Sequence, residues 1–111
     1  MSNKVNKIFK AIADPTRREI FHVLVAAGAA LSINQVSEQF DMSRQGVSKH
    51  LKLLQEAGMV RVESKGRETF CVADANPLKE IQNWLSVYDR FWDEKLDLLS
   101  QHLDNKKTPQ S

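Results

Sequence analysis

Apolar residues recur at three- and four-residue steps over Val5, Ile8, Phe9 and Ile12, which predicts a first helix. Asp14-Pro15-Thr16 interrupts the pattern with an acid suited to an N-cap and a proline suited to a first turn. A second helix is therefore expected from about Thr16 to Ala27, with Ile20, Phe21 and Leu24 inward and Gly28 as its stop. Ser32 is placed to cap a short third helix carrying Ile33, Val36 and Phe40 on one face, with Glu38 and Gln39 turned to solvent. Asp41-Met42-Ser43 reads as a tight turn, and Ser43 caps a fourth helix whose apolar positions Val47, Leu51 and Leu54 are four and three apart, ending at Ala57-Gly58. Two short helices joined by three residues form the helix-turn-helix pattern.

From Val60 the period changes to two. Val60 and Val62 share one strand face, Lys65-Gly66-Arg67 supplies a turn, and Phe70 and Val72 lie on the returning strand. Cys71 alternates with these two and is expected to be the more exposed. Asn76-Pro77 starts a last element, and apolar residues at helical spacing from Leu78 to Leu103 predict one long helix. The fold class is mainly α with a small β-hairpin, in the order α-α-α-α-β-β-α. Residues 1–104 read as one winged helix-turn-helix domain with dimerisation helices at both ends, and 105–111 as a disordered tail.

Composition narrows the function. A chain of 111 residues with 41% hydrophobic content holds one core and leaves little room for a deep catalytic cleft. Val23 to Leu31, the most apolar stretch, is too short to cross a membrane, and Lys4, Lys7 and Lys10 break up any leader-type apolar run, so a soluble cytoplasmic protein is expected. A lone cysteine forms no internal disulfide. The net charge of +2 is small, but residues 1–72 hold eleven Lys/Arg against seven Asp/Glu, and residues 73–111 hold five against seven. The basic excess thus sits with the helix-turn-helix and hairpin. No Ser/His/Asp, Cys/His or paired-carboxylate arrangement and no glycine-rich phosphate loop is convincingly placed, so no enzyme is implied.

The segment from Ser43 to Lys52 turns its apolar residues to one face and its polar residues to the other. Arg44 and Gln45 stand at the helix N-terminus, where a helix in the major groove brings side chains to base edges, and both can bond a purine in paired fashion. Ser48 and Lys49 lie one turn on. His50 and Lys52 fall further round, where phosphates are reached, and Ser43 caps amides that also attract phosphate. Lys65 and Arg67 flank the hairpin glycine and suit a wing that touches phosphate or enters a minor groove. The ordinary alternative for each of these residues is a solvated helix face or a charged loop tip.

Asp14-Pro15-Thr16-Arg17-Arg18, Ser48-Lys49-His50-Leu51-Lys52-Leu53-Leu54 with Ala57-Gly58-Met59-Val60, and Gly66-Arg67 together resemble the ArsR family of bacterial repressors, over about residues 5–103. The resemblance implies a dimeric repressor that reads double-stranded operator DNA with Ser43 to Lys52. Many members sense metals, and this chain departs from both common ligand sets. The Cys-x-Cys of arsenic- and cadmium-type sensors falls on Ser32-Ile33-Asn34, and the zinc-type set falls on Asp89, Phe91, His102 and Asn105, of which Phe91 offers no ligand atom. No metal or other cofactor is therefore expected. Tyr88-Asp89-Arg90-Phe91-Trp92 with Trp84 and Leu96 is similar to a subgroup without metal ligands. His22 is expected to pack or cap locally.

Along the last helix Leu78, Ile81, Leu85, Tyr88, Trp92, Leu96, Leu99 and Leu103 form one apolar stripe, and Trp84, Phe91 and Leu98 form another. One stripe suffices to pack the helix on its own domain, so the second calls for a partner. Ile8, Phe9 and Ile12 with Leu85, Tyr88, Trp92, Leu96, Leu99 and Leu103 are the expected homodimer surface. The competing readings are a metal- or thiol-switched repressor of the same fold and an interaction module that has lost DNA binding. The effector is not specified by these residues.

Overall fold

The structure, a computed structural model, describes the backbone of residues 3–107 and the side chains of residues 3–103. Its elements are α1 (Asn3–Ile12), α2 (Pro15–Ala27), β1 (Leu31–Ser32), α3 (Ile33–Phe40), α4 (Arg44–Glu56), β2 (Val60–Lys65), β3 (Glu68–Ala73), α5 (Leu78–Ser86) and α6 (Asp89–Lys107). They fall into two compact units, one ending at Ile81 and one beginning at Gln82. No helix among the described residues is long and apolar enough to cross a membrane.

The first unit is built on local capping. Asp14 is extended (φ −92, ψ 127) and accepts the Arg17 N–H at 2.9 Å, Pro15 opens α2, and Gly28 closes it at φ 62 with its N–H on the Val25 carbonyl. Ser32 and Gln35 bond reciprocally as a capping box at the start of α3. Above these caps α1 contributes Val5, Ile8 and Ala11, and α2 contributes Ile20, Phe21 and Leu24, to a core closed by Val36, Val47, Leu51, Leu54, Met59 and Val60. Leu78 and Ile81 pack partly against it.

The backbone N–H of Arg17 is the main reason the Asp14 carboxyl titrates below its ordinary value; burial opposes this, and the Arg17 and His50 charges add to it. A carboxyl whose pKa is depressed in the folded state stabilises the fold above the unfolded-state value, and this stabilisation is lost as pH falls through the folded-state value. Asp14→Asn keeps a capping oxygen without the titration. The stability advantage of wild type over Asp14→Asn, read from urea midpoints, is therefore expected to shrink from about pH 5 downward. A gap that stays constant into strong acid would rule out this role for the cap.

The sheet has three antiparallel strands in the order β1-β3-β2, one more than the hairpin pattern predicts. Leu31 and Ser32 pair with Cys71 and Phe70, a bridge too short to leave an alternation in the sequence. The hairpin turns through Gly66 and Arg67 with Lys65 opposite Glu68; Gly66 sits at φ 62 and Arg67 at negative φ, the signature of a II′ turn.

The register also corrects the expectation for Cys71. Cys71 stands opposite Val62 and Leu31 and is fully buried, whereas Val72 and Phe70 stand opposite Arg61 and Glu63 on the other face and are half-buried. The alternation in β3 was right, but the face turned to the core is the opposite one from that expected, with Cys71 in the cluster formed by residues of the helices. Burial pushes the Cys71 thiol up to about 11. Native protein is accordingly expected to resist thiol alkylation at neutral pH and to react completely once unfolded in urea. Rapid stoichiometric labelling of native protein would show the thiol to be available.

In the second unit, the expected single helix from Leu78 to Leu103 is broken. The Ser86 hydroxyl donates back to the Asn83 carbonyl, and the Tyr88 N–H reaches only to Leu85, a tight final turn that ends α5. The Tyr88 carbonyl then accepts the Trp92 N–H, and Asp89 supplies an acid in the first turn of α6. The apolar stripe drawn through 85, 88 and 92 therefore crosses a turn and is not one helical face. Trp84 and Tyr88 rings lie 5.5 Å apart, and Phe91 and Trp92 meet edge to face at 5.3 Å. Helix α6 continues through residues 105–107, which were expected to be disordered, and residues 108–111 lie outside the described residues.

Candidate nucleic-acid interface

The turn between α3 and α4 is held by its own backbone. Asp41 takes the left-handed conformation (φ 50, ψ 46), the Met42 N–H bonds the Ser37 carbonyl at 3.1 Å, and the Ser37 hydroxyl donates to the Met42 carbonyl. Ser43 then caps α4, accepting the Gly46 N–H at 3.0 Å. With the chain entering at this fixed point, Val47, Leu51 and Leu54 anchor α4 from below.

The upper side of α4 carries the predicted polar residues. Ser43, Arg44, Gln45, Ser48, Lys49 and Lys52 are all exposed, as are Lys65 and Arg67 at the hairpin tip. A recess lined by Asn34, Arg44, Arg67 and Thr69 brings the arginine of the helix and the arginine of the wing to one rim. A second groove, lined by Ser48, Lys52, Gln55 and Val62, runs between α4 and β2. Helix and hairpin thus present cationic, amide and hydroxyl side chains along the two recesses, with the carboxylate of Glu68 beside Arg67 on the first. Asn34 and Gln55 are among these side chains and were missed by sequence reasoning, although Gln55 follows Ser48 by two turns and shares its face.

His50 is the exception. At 100° per residue it lies about 160° round the helix from Lys52, on the side away from the polar face. Its Nδ1 stands 4.0 Å from the Asp14 carboxylate and 3.4 Å from the Arg17 guanidinium. The structure thus sets His50, expected among the phosphate-reaching residues, apart from them: the ring is half-buried beside Asp14 and Arg17.

The expected partner surface is likewise divided. Ile8 is fully buried in its own core and offers nothing to a second chain, and Phe9 and Ile12 are half-buried. By contrast Leu85, Tyr88, Phe91, Trp92, Leu96, Leu98, Leu99 and Leu103 are all exposed. His22 is exposed with its ring 6.3 Å from that of Phe21.

Comparison with known proteins bears on this arrangement. Residues 12–63 match a family described as a helix-turn-helix domain. The transcriptional repressor SdpR of Bacillus subtilis is 32% identical over 81 residues, covering 73% of this chain and 88% of that protein. An ArsR-like transcriptional regulator from Rhodococcus sp. RHA1 superposes with a TM-score of 0.67 at 31% identity, covering 88% of this chain and 91% of that one. A further solved regulator, described as ArsR family, superposes with a TM-score of 0.71 at 29% identity, covering 81% and 91%.

Proposed function

Because the chain belongs to the ArsR family of winged helix-turn-helix DNA-binding transcriptional regulators, we propose that it represses transcription as a homodimer seated on a palindromic operator, without a metal signal. The observation that carries this reading is that the exposed polar residues of α4 and of the wing meet at one recess, which Arg44 and Arg67 both line. Arg44, Gln45, Ser48 and Lys49 read base edges in the major groove, where paired donors and acceptors distinguish the bases. Lys52, Lys65 and Arg67 hold phosphates, and Ser43 orders the amides at the helix start.

The dimer is supported by the exposed aromatic and leucine residues of the second unit, since clustered apolar side chains left in water mark association surfaces. The absence of a metal signal is supported by the residues at the start of α3, Ser32 and Asn34, which lack thiolates.

Selection from randomised duplexes tests the reading. The enriched sequence is expected to be an inverted repeat with half-site centres about 34 Å apart, bound by two copies of the chain, with affinity unchanged by zinc, cadmium or arsenite. Enrichment of no sequence, or of a non-repeating site bound by one copy, would defeat it.

A further inference from the structure

We propose that Asp14, Arg17 and His50 form a clasp that sets the orientation of α4, so that His50 governs operator affinity without touching DNA. The proposal rests on the DNA-reading assignment of α4 above. Arg17 is the hub. Its Nε donates to the Ala11 carbonyl at 2.9 Å and one terminal nitrogen donates to the Lys10 carbonyl at 3.1 Å, which satisfies the end of α1. The other terminal nitrogen faces His50 Nδ1 at 3.4 Å. The Arg17 backbone N–H meanwhile bonds the Asp14 carboxylate, which stands 4.0 Å from the same ring nitrogen. One guanidinium therefore joins the last turn of α1, the first turn of α2 and the middle of α4.

The chemistry of the neutral ring fixes the roles. A guanidinium only donates, so in the neutral imidazole His50 Nδ1 accepts and the ring proton sits on Nε2. Val47, Leu51 and Leu54 hold α4 against the core, but the hydrophobic effect that drives their burial is non-directional. A planar guanidinium already fixed by two carbonyls is directional. His50 lies between Lys49 on the polar face and Leu51 in the core, so a roll of α4 that breaks the clasp also misaims Lys49 and Gln45. His50 and Arg17 are positioning residues.

The test compares His50→Asn, whose amide oxygen falls near the place of Nδ1 and accepts, with His50→Leu, of similar size and unable to accept. Both are measured on the duplex enriched by wild type and on random-sequence duplex, at a temperature where circular dichroism shows each protein fully folded. His50→Leu is expected to lose about five- to tenfold in operator affinity with random-DNA affinity and salt slope unchanged, and His50→Asn to recover most of the loss. Arg17→Met should cost a similar factor and make His50→Leu nearly silent when combined with it. In DNA-free protein, the nitrogen NMR spectrum should show the Nε2–H tautomer of His50 and should change in Arg17→Met. A phosphate contact would instead lower the salt slope by about one and weaken both duplexes alike. That result, equal binding by wild type and His50→Leu, or no recovery in His50→Asn, would overturn the clasp. Failure of wild type to enrich any duplex would defeat the DNA-reading assignment and the clasp with it, an outcome distinct from equal binding of an enriched duplex.

Discussion

Lys49→Ala and Gln45→Ala are each expected to lower affinity for the selected operator by about 1–3 kcal/mol while leaving binding to random duplex nearly unchanged, because a base-edge contact contributes only where the matching base is present. Both side chains are exposed on α4, and neither contributes to the core beneath it, so truncation removes a contact without unfolding the helix. Lys65→Ala and Arg67→Ala should behave differently. They lie on the hairpin tip, and each is expected to weaken specific and random binding together and to reduce the salt slope by about one. Competition titrations at several salt concentrations separate the two behaviours. Equal losses on both duplexes for Lys49→Ala and Gln45→Ala would remove α4 as the reading element. An unchanged salt slope for the hairpin variants would place the wing off the phosphates.

Helix starts were the most legible part of this chain, because they depend on side chains acting within three residues of themselves. Asp14, Ser32 and Ser43 each cap the helix that follows them, as expected. The polar face of α4 was legible for the same reason, since helical periodicity alone separates Arg44, Gln45, Ser48 and Lys49 from Val47 and Leu51. What escaped depends on contacts distant in sequence. The pairing of Leu31 with Cys71 spans the helix-turn-helix, and packing of Cys71 among residues of the helices sets which face of β3 is inside. The place of His50 is set by Arg17, thirty-three residues earlier, and no periodicity carries that information. The break at Val87 and Tyr88 had a weak local signal in Ser86 and Asp89, which compete for backbone groups, but the regular leucine and aromatic spacing on either side concealed it.

The largest effect is expected from Trp92→Glu combined with Leu99→Glu. These residues lie seven apart on α6, hence on one side of the helix, and are 56% and 52% exposed in the single chain. A carboxylate introduced at either position stays in water in the monomer, so the fold of the first unit should be retained, as read by circular dichroism. In a dimer that buries this surface, four carboxylates would be desolvated against leucine and aromatic rings without partners, which is strongly unfavourable. The variant should sediment as a monomer under conditions where wild type sediments as a dimer. Operator affinity should fall by about a hundredfold or more, because two half-sites held by one dimer gain an effective concentration that separate monomers lack. Binding to a single half-site should change little, since α4 and the wing are untouched. Ile8→Glu provides the contrast: Ile8 is fully buried within its own chain, so that change should unfold the protein rather than split a dimer. A wild type that sediments as a monomer yet binds the palindrome tightly, or a doubly charged variant that remains dimeric, would remove α6 from the mechanism.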